Sequence, residues 1–195
     1  TLFRSYDVIL VVTNSHGSDT KTSVDFIEVI PEATNQLLFL PQGWSGLSSY
    51  LVPENPDLTE MFGPIMGDLV ILQQMNGVFS PMFGVNSIGE WDSQTGYKIK
   101  LENPAYLQIS GSPVSENQLD LQEGWNLMPV LSACPVSAEE IFQNFAGNIQ
   151  VVKEIAGMGT YWPEMNINTL GSLMPGNAYF ILINSPITLL FPDCK

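Results

Sequence analysis

Two acidic pairs are the side chains best suited to acid–base work: Glu90 with Asp92, on either side of Trp91, and Glu139 beside Glu140. Paired carboxylates can hydrolyse a glycosidic bond without a histidine, one as acid and the other as base or nucleophile. Glu139 and Glu140, however, follow Ser137 in the Ser-x-x-Glu pattern that opens a helix, where acids complement the dipole and the cap. Glu90 and Asp92 fall in an irregular loop, a setting that suits a sugar, a calcium ion or plain solvation. The lone histidine, His16, sits in a turn, so neither a Ser-His-Asp triad nor a histidine metal site can be assembled. Gly-x-Ser-x-Gly, Gly-x-Gly-x-x-Gly, P-loop and EF-hand patterns do not occur, and Gly157-Met158-Gly159 lacks the third glycine of a dinucleotide loop. No catalytic residue, metal ligand or cofactor is therefore assigned, and the chain does not read as an enzyme.

The elements that must position any site come in two copies. Gly43-Trp44-Ser45-Gly46-Leu47 is answered by Gly124-Trp125-Asn126-Leu127-Met128, and Asp57-Leu58-Thr59-Glu60-Met61-Phe62 by Ser137-Ala138-Glu139-Glu140-Ile141-Phe142. Asp68 to Leu72 is answered by Asn148 to Val152, Phe79-Ser80-Pro81 by Tyr161-Trp162-Pro163, and Gly96-Tyr97-Lys98-Ile99 by Ala178-Tyr179-Phe180-Ile181. This is an internal duplication with a period of about 80 residues, the kind of signal to be read before any single element.

Each copy reads as strand-rich with one short helix. In the first, Gln36–Leu40 and a longer run, Trp44–Val52, are strands. Asp57 caps a helix whose apolar face is Leu58, Met61, Phe62 and Ile65, limited to about two turns by Gly63-Pro64. Leu69–Met75 turns back through Asn76-Gly77 into Val78–Ser80. An irregular loop with Asn86 and Trp91 precedes a closing hairpin, Tyr97–Leu101 with Ala105–Ile109. Gly111-Ser112-Pro113 separates the copies. In the second, Ser137 caps the helix face Ala138, Ile141, Phe142 and Phe145, Ala156 to Gly159 is the hairpin turn, and Tyr179–Ile183 and Ile187–Phe191 close the fold.

The aromatics divide on the same comparison. Trp44 with Trp125 and Tyr97 with Tyr179 stand at matched positions, which marks them as core. Trp91 and Trp162 have no tryptophan opposite them in the other copy, which makes them the candidates for exposed ligand contacts. Cys134 and Cys194 suit one disulfide as well as two buried thiols. Both follow predicted strand ends, beside Pro135 and Pro192, and a bridge is the expectation.

The 195-residue chain is 45% hydrophobic but only 13% charged, with a formal net charge of −14 from 20 acids and 6 bases. Such a chain repels phosphate backbones and anionic lipid, which argues against nucleic acid as a partner. No apolar run reaches the ~20 residues that span a bilayer. The first residue is Thr1 rather than Met, and an N-terminal part cut away ahead of it, naturally or by design, is the expectation. Residues 1–30 read as a hairpin: Tyr6, Val8, Leu10 and Val12 share one face, Ile9 and Val11 the other, with Asn14-Ser15-His16-Gly17 as the turn. A two-stranded hairpin is marginal in water, so it is expected to lean on the first copy or to pair with a second chain as a dimer. Ile30 to Asn35 reads as a linker.

The pattern Tyr6-x-Val8-x-Leu10-x-Val12-x-Asn14-x-x-Gly17, ending in Phe26-Ile27-x-Val29, resembles the last two strands of a PKD domain, an immunoglobulin-like sandwich. Residues 36–193 resemble a tandem β-rich module of secreted and surface proteins of Bacteroidetes-type bacteria. The marks are Gly43-Trp44, Ile88-Gly89-x-Trp91-Asp92, Gly124-Trp125-Asn126-Leu127, Tyr161-Trp162-Pro163 and Pro175-Gly176-x-Ala178-Tyr179-Phe180. The expected fold is mainly β (α+β in detail), in three parts: 1–33, the PKD-like remnant; 34–114, repeat one; and 115–195, repeat two. The resemblance implies an extracellular or cell-surface location and an accessory role as spacer, adhesion element or presenter of neighbouring domains. Its partner would be a surface polysaccharide or another surface protein. The alternative is a carbohydrate-binding module that uses Trp91 or Trp162.

Overall fold

Alternating side chains and one tight turn build the first pair of strands. β1 (Arg4–Asn14) and β2 (Gly17–Val29) form an antiparallel ribbon with a bulge between Tyr6 and Val8. The turn is closed by Asn14, whose side-chain oxygen accepts the His16 amide at 2.8 Å. In β1, Leu10 and Val12 on one face and Ile9 and Val11 on the other are all exposed. The computed structural model describes residues 4–29 and 34–194. The chain divides into two compact units, Thr1–Ala33 and Thr34–Lys195. Of the expected linker, Ile30 to Ala33 lie outside the described residues, while Thr34 and Asn35 are already strand.

Repeat one runs through β3 (Thr34–Leu40), β4 (Gly43–Leu47), β5 (Leu51–Pro53), α1 (Leu58–Phe62), β6 (Leu69–Gln73), β7 (Val78–Ser80), β8 (Val85–Asn86), β9 (Tyr97–Leu101) and β10 (Ala105–Pro113). Repeat two runs through β11 (Gln118–Leu121), β12 (Gly124–Met128), β13 (Val136–Ser137), α2 (Ala138–Phe142), β14 (Ile149–Glu154), β15 (Thr160–Trp162), β16 (Ile167–Asn168), β17 (Ser172–Leu173), β18 (Tyr179–Ile183) and β19 (Ile187–Leu190). The fold is mainly β, with one short helix in each copy.

The main sheets have the same strand order: β4-β9-β6-β7-β8 in repeat one and β12-β18-β14-β15-β16 in repeat two. Even the irregularity is repeated. β6 bulges against β9 between Leu69 and Ile71, and β14 bulges against β18 between Ile149 and Val151. A second, smaller sheet closes each core: β3-β10-β5 in repeat one, β11-β19 in repeat two. Between the sheets of repeat one lie Leu38, Leu47, Leu72, Tyr97, Ile99, Leu107 and the helix residues Leu58 and Phe62. Repeat two packs Leu119, Met128, Val152, Tyr179, Ile181, Leu189, Ala138 and Phe142 in the same way. Both helices start on their expected caps: Asp57 accepts the Glu60 amide at 2.9 Å and Ser137 the Glu140 amide at 3.3 Å.

Two expectations about strands are corrected. Trp44–Val52 is not one strand, because the chain changes sheets at Ser48 and Ser49. Ser49 donates to the Gln36 side chain at 2.7 Å and accepts the Leu51 amide at 2.9 Å, which satisfies the bend internally. Gly111-Ser112-Pro113 is not a separator but the end of β10, where Gly111 pairs with Thr34 on one side and Pro53 on the other. A Cβ there would strike the Val52 carbonyl, so only glycine lets the backbones approach this closely.

The copies meet face to face. Ser48 N donates to Gly176 O at 2.8 Å, Gly96 N to Leu127 O at 2.9 Å, and Val130 N to the Ser48 hydroxyl at 3.2 Å. A Cβ on Gly46 would strike the Ala178 backbone, and one on Gly96 would lie 2.8 Å from the Ala178 Cβ and 3.1 Å from the Leu127 carbonyl. Gly46 corresponds to Leu127, and Gly96 to Ala178. The contact of Gly46 with Ala178 is therefore the contact of Leu127 with Gly96 seen from the other copy, as in an isologous dimer. Its sizes are complementary, since the large Leu127 faces glycine and the small Gly46 faces alanine.

Candidate functional site

Residues that pair directly across a sheet share a face, so the registers define what each copy shows to solvent. In repeat two, Trp125 pairs with Leu182, Leu182 with Val151, and Trp162 with Ile167. Val152 pairs with Tyr161, so the next residues along, Val151 and Trp162, extend the same register on the opposite face. The result is one row across five strands: Trp125, Leu182, Val151, Trp162, Ile167. Its inward neighbours Val152, Tyr161 and Ile181 are buried, and the row itself looks outward. Trp125 is 47% exposed, Trp162 38% and Ile167 41%.

A groove of about 690 Å³ lies on this row, lined by Leu182, Val151, Trp162 and Ile167 along its floor. Its rims are polar: Lys153, Thr160 and Thr169 on one side, Gln150, Asn184 and Glu164 on the other. Local structure holds these groups in place. The Thr160 amide donates to the Thr169 hydroxyl at 3.1 Å, and Gln150 Nε2 donates to Asn184 Oδ1. Glu154 closes the 154–159 turn, accepting the Gly159 amide at 2.9 Å with its carboxylate. Pro163 stops β15 directly after Trp162 and starts a 3-10 turn that ends at Asn166, in the left-handed region at φ 53°.

Of the two tryptophans expected to be exposed, Trp162 is. Trp91 is not. It is 5% exposed and stacked on Tyr97 with ring centroids 4.3 Å apart, its Nε1 donating to Ser93 Oγ at 3.1 Å. Its counterpart in repeat two is Leu173, fully buried, so the position is a core position filled by a larger side chain. Trp44 and Trp125, expected in the core, belong to the outer faces. The signal was present in the alternation: Trp125 and the buried Met128 are three residues apart on a strand, which sets them on opposite faces. The tyrosines are core as expected, and each performs a polar task as well. Tyr97 Oη accepts the Asp92 amide at 2.8 Å, and Tyr179 Oη accepts the Met174 amide at 2.8 Å, so each phenol latches the loop before its own strand. Burial pushes both phenols above the usual tyrosine range, Tyr97 strongly.

The acidic pairs have structural surroundings. Glu139 and Glu140 are exposed in the first turn of α2. Asp92 accepts the Gln94 amide at 2.9 Å in a local turn, and Glu90 bridges to Asp57 through the backbone. Among the described residues no three His, Cys, Asp or Glu side chains gather as a metal site. Cys134 and Cys194 are joined at disulfide distance, with Cα atoms 5.7 Å apart, and Ser132 Oγ lies 3.3 Å from both sulfurs. No helix among the described residues is long and apolar enough to cross a membrane.

Comparisons with protein-family models, with curated proteins and with solved structures find no match for this chain.

Proposed function

We propose that this chain is a non-catalytic accessory module of the cell surface or extracellular space, and that the outer face of repeat two is where it holds a glycan. The observation that carries this reading is Trp162: an indole 38% exposed on the floor of a groove whose rims offer amide, hydroxyl and ammonium groups. An aromatic face covers the C–H surface of a sugar ring while the rim groups bond its hydroxyls. Trp91 is left out of the site because its ring is buried. A disulfide between Cys134 and Cys194 supports an oxidising compartment. The likeness of the Gly-Trp copies to tandem modules of bacterial surface proteins supports the accessory role.

The test is a glycan array probed with the intact chain and with Trp162→Ala. The expected result is retention of a defined set of glycans by the parent chain and its loss in the variant. A thermal melt of the variant separates loss of the site from unfolding. Retention of no glycan, or equal retention by the variant, would remove the glycan reading.

A further inference from the structure

The aromatic row is longer than one sugar needs. Trp125 on β12 and Trp162 on β15 are separated by three inter-strand steps, about 14 Å at the usual strand spacing. The row between them is apolar, since Leu182 and Val151 complete it; the groove reaches Leu182, and Trp125 stands next along the row with its ring edge-on to Phe180. A monosaccharide covers one indole and leaves the other bare. The rims run parallel to the row: Phe180, Lys153 and Thr160 occupy the next register positions on one side, and Gln150 and Asn184 lie on the other. The bond from Gln150 Nε2 to Asn184 Oδ1 leaves the Gln150 carbonyl and the Asn184 amino group free to meet hydroxyls, one as acceptor and one as donor.

Charge narrows the class. The groove carries one base, Lys153, and one acid, Glu164, so it has no local excess of either sign. The whole chain carries −14, a field that disfavours a polyanion. Repeat one gives the contrast. Its equivalent row is Trp44, Lys100, Ile71, Ser80 and Val85. There Lys98 Nζ lies 4.2 Å and Lys100 Nζ 5.8 Å from the Trp44 ring centroid, and Ser80 is buried with its hydroxyl on the Val70 carbonyl at 2.9 Å. That row has no second aromatic, and its single indole lies against two ammonium groups.

We propose that repeat two binds an uncharged, extended polysaccharide that lies across the strands and stacks on Trp162 and Trp125 together. This rests on the glycan reading above and adds the charge, the shape and the direction of the ligand. The experiment is calorimetric titration of the intact chain with linear β-linked gluco-, xylo- and manno-oligosaccharides, from one to six sugars, beside oligouronides of the same lengths. Affinity should climb with length in an uncharged series and then level off. Trp125→Ala should abolish the climb, costing the longest ligands about tenfold, while short ligands bind as before. Trp162→Ala should weaken every length. Trp125→Phe should keep most of the climb, which separates stacking from damage to β12. Affinity independent of length, or unchanged in Trp125→Ala, would overturn the extended mode and leave glycan binding standing. Tighter, salt-sensitive binding of oligouronides would overturn the uncharged class. Failure of every sugar to bind would overturn this proposal and the glycan reading together.

Discussion

Repeat one and repeat two are the same scaffold with different outer faces. They share strand order, the bulge in β6 and β14, the capped helix and the tyrosine latch. They part company on the outward row, where Lys100 stands opposite Leu182 and Ser80 opposite Trp162 in the comparison. Inward positions are tied to a shared geometry, because a core accepts only side chains of suitable volume. Outward positions carry no such tie, so differences there reflect what each copy meets in solvent. Inward differences such as Leu58 against Ala138 and Trp91 against Leu173 are matters of volume: the indole, for one, fills its space by stacking on Tyr97.

The disulfide belongs to repeat two alone, so it breaks the comparison most strongly. It closes a separation of 60 residues, tying the segment after β12 to the end of the chain beyond β19. In the chain-entropy model such a loop contributes about 4 kcal/mol by restricting the unfolded state. Cys134→Ser with Cys194→Ser should lower the urea midpoint, and with it the unfolding free energy by an amount of that order. Hydrogen exchange should place the loosening in repeat two, with repeat one protected almost as before. A midpoint unmoved by the double substitution would mean that the bridge does not constrain the unfolded chain.

At the interface the comparison can be sharpened with one methyl group. Gly46 stands where repeat two has Leu127, yet its own Cβ would collide with the Ala178 backbone. Gly46→Ala should therefore cost about 1–3 kcal/mol, as overpacking usually does. Gly67→Ala is the matched control, because a Cβ there meets nothing within 4 Å. Equal stabilities for the two variants in urea titrations would show that the copies can separate without loss.

Much of this architecture is legible in the chain because the duplication lets each copy check the other. The capping residues Asp57 and Ser137, the Asn76-Gly77 turn and the strand pairs at Tyr97 and Tyr179 are local signals, and local chemistry decides them. The break at Ser48 is not local: that residue bonds Gly176 and Val130 of the other copy, more than 80 positions away. Gly46 and Gly96 are likewise glycines for a reason that lies across the interface. Trp91 and Trp125 exchanged places for a different reason. Matching between copies speaks of shared position and says nothing of which face that position occupies; strand parity does, and it sets Trp125 outward from Met128. The floor of the groove could be assembled only after the sheet order joined Leu182, Val151, Trp162 and Ile167 from four separate strands.

The smallest expected effect tests what the copies share. Tyr97 and Tyr179 each accept an amide from the loop before their own strand, at 2.8 Å in both. Tyr97→Phe and Tyr179→Phe should each cost about 1 kcal/mol at neutral pH, because a part-buried amide loses its acceptor. The pH dependence follows from the same burial. Desolvation raises both phenols above the ordinary tyrosine value, so the folded chain keeps them protonated where the unfolded chain does not. Their contribution is complete below about pH 10, where an unfolded tyrosine ionises, and is lost as the pH rises beyond it toward the raised folded values. Stability measured by urea titration should accordingly fall above pH 10, and each Tyr→Phe variant should fall less steeply than the parent chain. Ultraviolet titration of phenolate gives the direct reading: Tyr97 and Tyr179 should ionise only when the protein unfolds. If all tyrosines titrate together near pH 10 with the fold intact, the latch is open to water in both copies.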